Sequence, residues 1–149
     1  MTDVLLVEDN PDDAELAMHA FKRNETDEAL VIVEDGQEAL DYLFAKGAYQ
    51  DLTPEDLPKL VLMDLNLPKV GGLDVLRQMR ASETTSHIPV VLLTTSDEEQ
   101  DIRTGYQLGA NSFVRKPVDF SQFVKVMSKV QEYWLDINTH PVAMKALHR

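Results

Sequence analysis

Apolar residues occur along this chain in two patterns: short unbroken runs, and longer segments in which they recur every three or four positions. A short run predicts a strand buried on both faces, and a periodic segment predicts a helix with one apolar face. Five largely apolar runs are each followed by a periodic segment: Val4–Val7, Leu30–Val33, Leu60–Met63, Pro89–Leu93 and Ser112–Arg115. Because strands that alternate with helices form parallel sheets through right-handed crossovers, the pattern predicts one doubly wound α/β domain.

The predicted helices begin at capping residues. Asn10 with Pro11 opens the first helix, and Asp35 with Glu38 forms a capping pair for the second. The acidic residues 97–99 start the fourth helix, and Asp119 caps the last one. The last helix is expected to cover the sheet with an apolar stripe of Phe120, Phe123, Met127, Val130 and Trp134.

Two segments lack a regular pattern. Residues 47–58 are acidic and contain two prolines, so we predict an exposed loop there. Residues 136–149 are predicted to form a short C-terminal tail. Repeats, low-complexity tracts and inter-domain linkers are absent from the sequence, which favours a single domain.

Composition and charge narrow the classes of function. The chain has 149 residues, of which 44% are hydrophobic and 27% charged, as in one globular domain. A net charge of −12 argues against direct nucleic-acid binding, which requires clustered Lys and Arg. The absence of cysteine excludes disulfides and Cys-ligated zinc. Because no signal peptide and no membrane-spanning apolar run is visible, we expect a cytoplasmic protein without membrane contact.

Reactive side chains stand at the ends of four predicted strands: Glu8 and Asp9, Asp64, Thr94, and Lys116. In a parallel sheet these ends share one edge, and in the flavodoxin-like order 2-1-3-4-5 strands one and three are neighbours at the switch point. The three acids should therefore share a crevice, and clustered carboxylates are ligands that suit Mg²⁺.

A carboxylate cluster with a nearby ammonium and hydroxyl matches the needs of phosphoryl transfer. A metal ion and a cation neutralise the phosphoryl oxygens, while a carboxylate attacks phosphorus and forms an aspartyl-phosphate. Asp64, at the centre of the sheet, is the predicted nucleophile. Taken singly, these residues have simpler explanations: an acid after a strand is often a helix-start charge, and Lys116 could pair with a core carboxylate.

The motifs VEDN, LMDLNLP, a threonine thirty residues after Asp64 and Lys116-Pro117 resemble the receiver domain of two-component response regulators. The resemblance implies that Asp64 accepts phosphate from a histidine kinase, with Thr94 and Lys116 contacting the phosphoryl group. It implies a Mg²⁺ site formed by Glu8, Asp9, Asp64 and the backbone carbonyl of Asn66. It also implies that Phe113 is the aromatic switch residue.

The long acidic loop and the segment EYWLDINTH are most similar to the small regulators of cyanobacterial phytochromes, which implies a phytochrome-type kinase as partner. We expect the receiver domain to span residues 1–135, followed by the tail at 136–149. Receivers often carry Asp-Gly where this chain has Gly71-Gly72. Lys116 must turn its ammonium into the site immediately before a helix begins, and a cis X-Pro bond makes that chain reversal. We therefore predict a cis bond between Lys116 and Pro117, which the resemblance also implies.

Three other functions compete with this interpretation. A phosphatase of the haloacid dehalogenase type needs an acid two residues after the nucleophile, where this chain has Asn66. An adaptor with a vestigial site should have lost an acid, the lysine or the hydroxyl, and a nucleotide-binding Rossmann domain needs a glycine motif that is absent. We therefore expect a stand-alone, non-enzymatic switch.

Assembly is predicted from the last helix. Val126, Val130, Tyr133 and Ile137 fall at heptad-like spacing beside the stripe that covers the sheet. A single domain has no further surface to bury them, so we expect a two-fold homodimer through this helix, with neighbouring parts of the fourth helix and fifth strand.

Overall fold

The structure is a computed structural model that describes residues 2–23, 29–95 and 98–141. Five parallel strands form one sheet in the order β2-β1-β3-β4-β5, which confirms the predicted class and topology. The strands are β1 Val4–Val7, β2 Leu30–Val33, β3 Leu60–Asp64, β4 Val90–Thr94 and β5 Ser112–Arg115. β1 pairs with β3 in a register that sets Val7 opposite Met63, so the residues that follow these two strands leave the sheet side by side.

Five helices cover the two faces of the sheet: α1 Pro11–Arg23, α2 Gly36–Leu43, α3 Gly72–Arg80, α4 Glu99–Gln107 and α5 Phe120–Gln131. Their caps follow the sequence signals. The Asn10 side chain accepts a hydrogen bond from the Asp12 N–H at 2.9 Å, and Asp35 accepts one from the Glu38 N–H at 2.7 Å. Asp119 accepts from the N–H groups of Ser121 and Gln122. The predicted start of the fourth helix at residue 97 lies outside the described residues.

The apolar stripe of α5 is shorter than predicted. Phe123 and Met127 are buried, and Val130 and Trp134 pack partly against the core. Phe120, however, is 66% exposed, so its assignment to the core was wrong. Phe120 is the first residue of α5, and its neighbours Asp119 and Ser121 are exposed as well, so the helix begins outside the core.

Residues 47–58 are more ordered than an exposed loop. The segment contains two short 3₁₀ turns, Gly47–Tyr49 and Pro54–Asp56. Its apolar side chains Tyr49, Leu52 and Leu57 pack against the core. The Tyr42 hydroxyl donates to the Asp56 carbonyl at 3.3 Å. The acidic residues face solvent while the apolar ones between them hold the segment on the domain.

The chain leaves α5 through a π-helical turn, Glu132–Ile137, in which the Asn138 N–H donates to the Tyr133 carbonyl at 2.7 Å. This turn breaks the predicted heptad spacing. Val126 and Val130 are partly buried against the core, while Tyr133 and Ile137 are 48% and 64% exposed. The rings of Tyr133 and Trp134 meet edge to face at 5.0 Å. Residues 142–149 of the predicted tail lie outside the described residues.

Arg80, the last residue of α3, joins three segments at the amino edge of the sheet. Its guanidinium donates to the carbonyl oxygens of Gly109, Ser86 and Ile88 at 2.9, 3.0 and 2.9 Å. It also donates to the Asn111 side chain at 3.0 Å. These bonds connect α3 to the chain entering β4 and to the turn between α4 and β5. Within the described residues, no helix is both long enough and apolar enough to cross a membrane.

Candidate functional site

The predicted acids meet at the carboxyl edge because β1 and β3 are neighbours. Glu8 and Asp9 directly follow β1, and Asp64 is the last residue of β3. One carboxylate oxygen from each residue lies within 4.8 Å of the others. Glu8 is buried, Asp64 is half-buried and Asp9 is exposed, so the cluster opens to solvent on one side. The predicted crevice of three carboxylates is present.

Lys116 supplies the positive charge of this cluster. Its ammonium lies 2.7 Å from Asp64 Oδ2, and it also donates to Glu8 Oε1. A third contact reaches Asp13 Oδ2 at 3.1 Å. The ammonium has three N–H donors, and each has a carboxylate acceptor.

Asp13 was missed by the sequence analysis. An acid in the first turn of a helix is explained by the helix dipole alone, so Asp13 did not differ from its neighbour Asp12. A signal was nevertheless present. Because α1 begins at Pro11, two residues after Asp9, its first turn must lie at the same edge of the sheet as the acids.

Burial and pairing act in opposite directions on the two buried charges. Burial raises the pKa of Glu8 to about 7, although the Lys116 ammonium opposes the shift. Burial by itself lowers the pKa of Lys116, but hydrogen bonds to Asp64 and Glu8 outweigh it and hold that pKa above its ordinary value. One ammonium shared among several acids cannot offset the burial of Glu8, whereas several acids together do offset the burial of Lys116.

Backbone groups fix the orientation of the acids. The Asn66 N–H donates to Asp64 Oδ1 at 3.0 Å, and the Asn10 N–H donates to Glu8 Oε2 at 3.2 Å. The two oxygens of Asp64 are therefore distinct, one bonded to the loop after β3 and the other to Lys116. Such an arrangement holds the carboxylate ready for a reaction at a defined position.

A backbone hydrogen bond connects Lys116 to Thr94. Thr94, the last residue of β4, is fully buried, and its carbonyl accepts the Lys116 N–H at 2.7 Å. The bond between Lys116 and Pro117 is trans, so the predicted cis bond was wrong. The long lysine side chain reaches the acids without the chain reversal that motivated that prediction.

Phe113 lies on β5, three residues before Lys116, and away from the acids. It pairs with Leu92 on β4 and is half-buried against the core. Gly105 of α4 lies over it, since a Cβ at this glycine would be 3.5 Å from the Phe113 ring. The structure thus separates Phe113 from the cluster, at the contact between α4 and β5.

The acid cluster fits a hard divalent cation. Such ions prefer oxygen ligands and usually take one or two carboxylates together with backbone carbonyls and water. Glu8, Asp9 and Asp64 provide oxygens close enough together to share one ion. The donor set contains no sulfur or imidazole among the clustered residues, which argues against a zinc-type site.

The sequence of residues 4–128 matches the response regulator receiver domain. The chain belongs to this family. The match covers all five strands and the acids, threonine and lysine at their ends.

Two relatives of this receiver align along nearly their whole lengths. The probable methanogenesis regulatory protein FilR2 of Methanothrix harundinacea is 41% identical over 138 residues, covering 93% of this chain and 86% of the relative. Response regulator Rcp1 of Synechocystis is 36% identical over 140 residues, covering 94% and 93%. The crystal structure of the phosphorylated cyanobacterial phytochrome response regulator RcpA superposes with a TM-score of 0.88 at 37% identity, covering 94% of this chain and 98% of RcpA. These likenesses confirm the resemblance to the regulators of cyanobacterial phytochromes.

This receiver departs from the common Asp-Gly pair at Gly71, and the structure separates the roles of the two glycines. A Cβ at Gly72 would lie 2.5 Å from the Asp64 carbonyl oxygen, so only glycine fits there. Gly71 has open space around it and forms the N-cap of α3 without a side-chain hydrogen bond. The departure thus leaves α3 without a side-chain cap and does not affect the glycine that packs against the Asp64 backbone.

Proposed function

We propose that this receiver accepts a phosphoryl group on Asp64 from a sensor histidine kinase. The observation that carries the proposal is the Lys116 ammonium 2.7 Å from Asp64 Oδ2, beside the carboxylates of Glu8 and Asp9. A nucleophile, a cation and a metal-binding acid pair thus occupy one partly open crevice.

In the proposed reaction an Asp64 oxygen attacks phosphorus, and the bond from phosphorus to the kinase histidine nitrogen breaks. The nitrogen keeps the bonding electrons. Lys116 neutralises charge on the phosphoryl oxygens, and the Thr94 hydroxyl donates to one of them. Glu8, Asp9, Asp64 and the Asn66 carbonyl would hold Mg²⁺, which supplies further neutralisation of the phosphoryl oxygens when bound.

The phosphorylated state would act by shifting a population of conformations. We propose that Thr94 moves toward the phosphoryl group and that Phe113 fills the vacated space, altering the surface formed by α4 and β5. The position of Phe113 beneath Gly105 supports this route, because a movement of the Phe113 ring would change the packing of α4 against β5.

Labelling with acetyl phosphate tests the acceptor. The parent should gain the mass of one phosphoryl group in Mg²⁺ and none in EDTA, and Asp64→Asn should gain none. Asp74→Asn is the matched control, since Asp74 is an exposed acid on α3 paired with Arg77. Equal labelling of the Asp64→Asn variant would show that another residue is the acceptor.

We further propose a phytochrome-type histidine kinase as the partner. The solved structures of Rcp1, RcpA and the bacteriophytochrome response regulator RtBRR support it, the last being 43% identical to this chain. The name of the relative FilR2 refers to methanogenesis and not to a phytochrome. Phosphotransfer from an autophosphorylated bacteriophytochrome kinase within seconds would support the phytochrome-type partner, and transfer no faster than from an unrelated kinase would oppose it.

We also propose that the protein is not an enzyme with a separate substrate. Asn66 stands where a haloacid dehalogenase-type phosphatase needs an acid, and its amide cannot act as general acid and base. Incubation with p-nitrophenyl phosphate and Mg²⁺ should release no more nitrophenol than the Asp64→Asn variant does. Repeated turnover above that level would favour the phosphatase.

A homodimer through the end of α5 is proposed from the exposed side chains of Tyr133 and Ile137. Sedimentation equilibrium should show a parent dimer at micromolar concentration and a Tyr133→Asp monomer. Gln78→Asp, at an exposed position of α3, is the control that adds the same charge elsewhere. A parent that stays monomeric with and without phosphate would exclude this interface. We propose residues 1–135 as the cytoplasmic receiver domain and 136–149 as its tail.

A further inference from the structure

Lys116 contacts one carboxylate, that of Asp13, which is not part of the acid cluster. Its side chain is 5% exposed, and its ammonium contacts Glu8, Asp64 and Asp13, whose side chains are 2%, 12% and 28% exposed. Glu8 and Asp64 belong to the acid cluster that fits a cation, and Asp13 does not. Asp13 therefore competes for the ammonium without competing for the metal.

The contact belongs to Asp13 and not to the acidic helix start in general. Asp12 and Asp13 are successive residues in the first turn of α1, and both benefit from the helix dipole. Asp12 is exposed, whereas Asp13 is half-buried with its Oδ2 atom 3.1 Å from the Lys116 Nζ atom. Variants at Asp12 and Asp13 can therefore separate an effect that acts through Lys116 from a general effect of negative charge or of helix capping.

Two effects of Asp13 on phosphorylation oppose each other. It orients the ammonium, which favours reaction, and it occupies an N–H donor and adds negative charge near an incoming anion, which disfavours reaction. Glu8 and Asp64 are more deeply buried than Asp13 and hold Lys116 without it. The loss of orientation on removing Asp13 is therefore small, and the charge effect prevails.

We propose that Asp13 is a positioning residue that restrains Lys116 on the α1 side of the crevice and thereby slows phosphorylation of Asp64. In phosphorylation by acetyl phosphate, an Asp64 oxygen bonds to phosphorus, the phosphorus–oxygen bond of the donor breaks, and acetate leaves with the electron pair. The ammonium must turn a donor toward the phosphoryl oxygens during this step. Asp13 holds that donor back. This inference rests on the proposed function of Asp64.

The test compares phosphorylation rates by acetyl phosphate in saturating Mg²⁺ for the parent and four variants. Asp13→Asn keeps an acceptor oxygen and removes the charge, and should react about fivefold faster. Asp13→Ala should also be faster, and Asp13→Glu should restore the parent rate. Asp12→Asn removes the same charge one residue away, and its rate should stay within about twofold of the parent rate. The exposed Asp12 carboxylate can affect the reaction only through long-range electrostatics, which salt screens.

A metal-free measurement tests the restraint itself. The ¹H–¹⁵N signal of the Lys116 ammonium in EDTA should shift, with faster exchange with water, in Asp13→Asn and not in Asp12→Asn. A parent that takes up no phosphate would contradict the proposed function, while this signal would still report on the contact. Equal rates for Asp12→Asn and Asp13→Asn, or slower reaction of Asp13→Asn or Asp13→Ala, would overturn the proposal.

Discussion

The charged side chains in the crevice do not balance one another. Lys116 brings one positive charge to Glu8, Asp13 and Asp64. Glu8, the most deeply buried of the three acids, takes up part of the excess by holding a proton more tightly than in water, with its pKa near 7 against an ordinary value of 4.5. Like charges confined in one crevice are a common feature of functional sites.

The Glu8 pKa predicts a pH-dependent stability of the metal-free protein. Because the folded state binds the Glu8 proton more tightly than the unfolded state, the stabilisation is complete below pH 4.5 and is lost as pH rises through about 7. Glu8→Gln, which cannot lose a proton there, should match the parent at pH 5 and exceed its free energy of unfolding by about 1–3 kcal/mol at pH 8.

Urea unfolding in EDTA at several pH values measures this difference. Glu83→Gln, at an exposed position, should track the parent throughout. A gap between Glu8→Gln and the parent that does not change with pH would refute the prediction.

At the scale of elements, the strands could be predicted closely because buried parallel strands leave unbroken apolar runs in the sequence. The common location of the acids, Thr94 and Lys116 could then be predicted as well, since each of them lies at the end of a predicted strand. For Asp13 the sequence could indicate only that the first turn of α1 lies at the edge with the acids, because nothing in the sequence says which acid of that turn points inward. The π-helical turn Glu132–Ile137 also leaves no mark, because one extra residue in the hydrogen-bond ring does not disturb the apolar pattern before it.

The two glycines at the start of α3 should respond in opposite ways to substitution. Gly72→Ala places a Cβ 2.5 Å from the Asp64 carbonyl and should cost about 2 kcal/mol or more of unfolding free energy. Gly71→Ser has open space and an extended backbone, so it should add a cap and stabilise by about 0.5–1 kcal/mol.

Thermal unfolding of both variants measures the two effects on the same helix start. A Gly71→Ser variant less stable than the parent would contradict the view that this departure merely removes a cap. If Gly72→Ala leaves the stability unchanged, the loop after β3 deforms more easily than the structure indicates.

Across the whole molecule, the reactive edge and the amino edge of the sheet are stabilised differently. The reactive edge concentrates charge around Lys116, while the amino edge is tied by Arg80 to neutral oxygens of the segments entering β4 and β5. Hydrogen bonds from a charged donor are among the stronger ones, and removing the donor takes a partner from carbonyls that are in part shielded from water.

Arg80→Met should therefore lower the free energy of unfolding by about 2–4 kcal/mol, measured in urea. Arg77→Met on the same helix is the matched control. It loses only an exposed pair with Asp74 and should change stability by no more than about 0.5 kcal/mol. Similar losses in the two variants would show that the Arg80 bonds add nothing beyond those of a surface arginine.

The edge-to-face pair of Tyr133 and Trp134 has a spectroscopic consequence. Trp134 is the single tryptophan of the chain, and a helical rise of about 1.5 Å per residue places it about 20 Å along the helix from Asp119 at the reactive edge. Its emission will not sense a metal ion in the crevice directly, but it would sense any second copy that covered Tyr133. A change in Trp134 emission on adding a divalent cation would therefore report association of copies and not occupancy of the crevice itself.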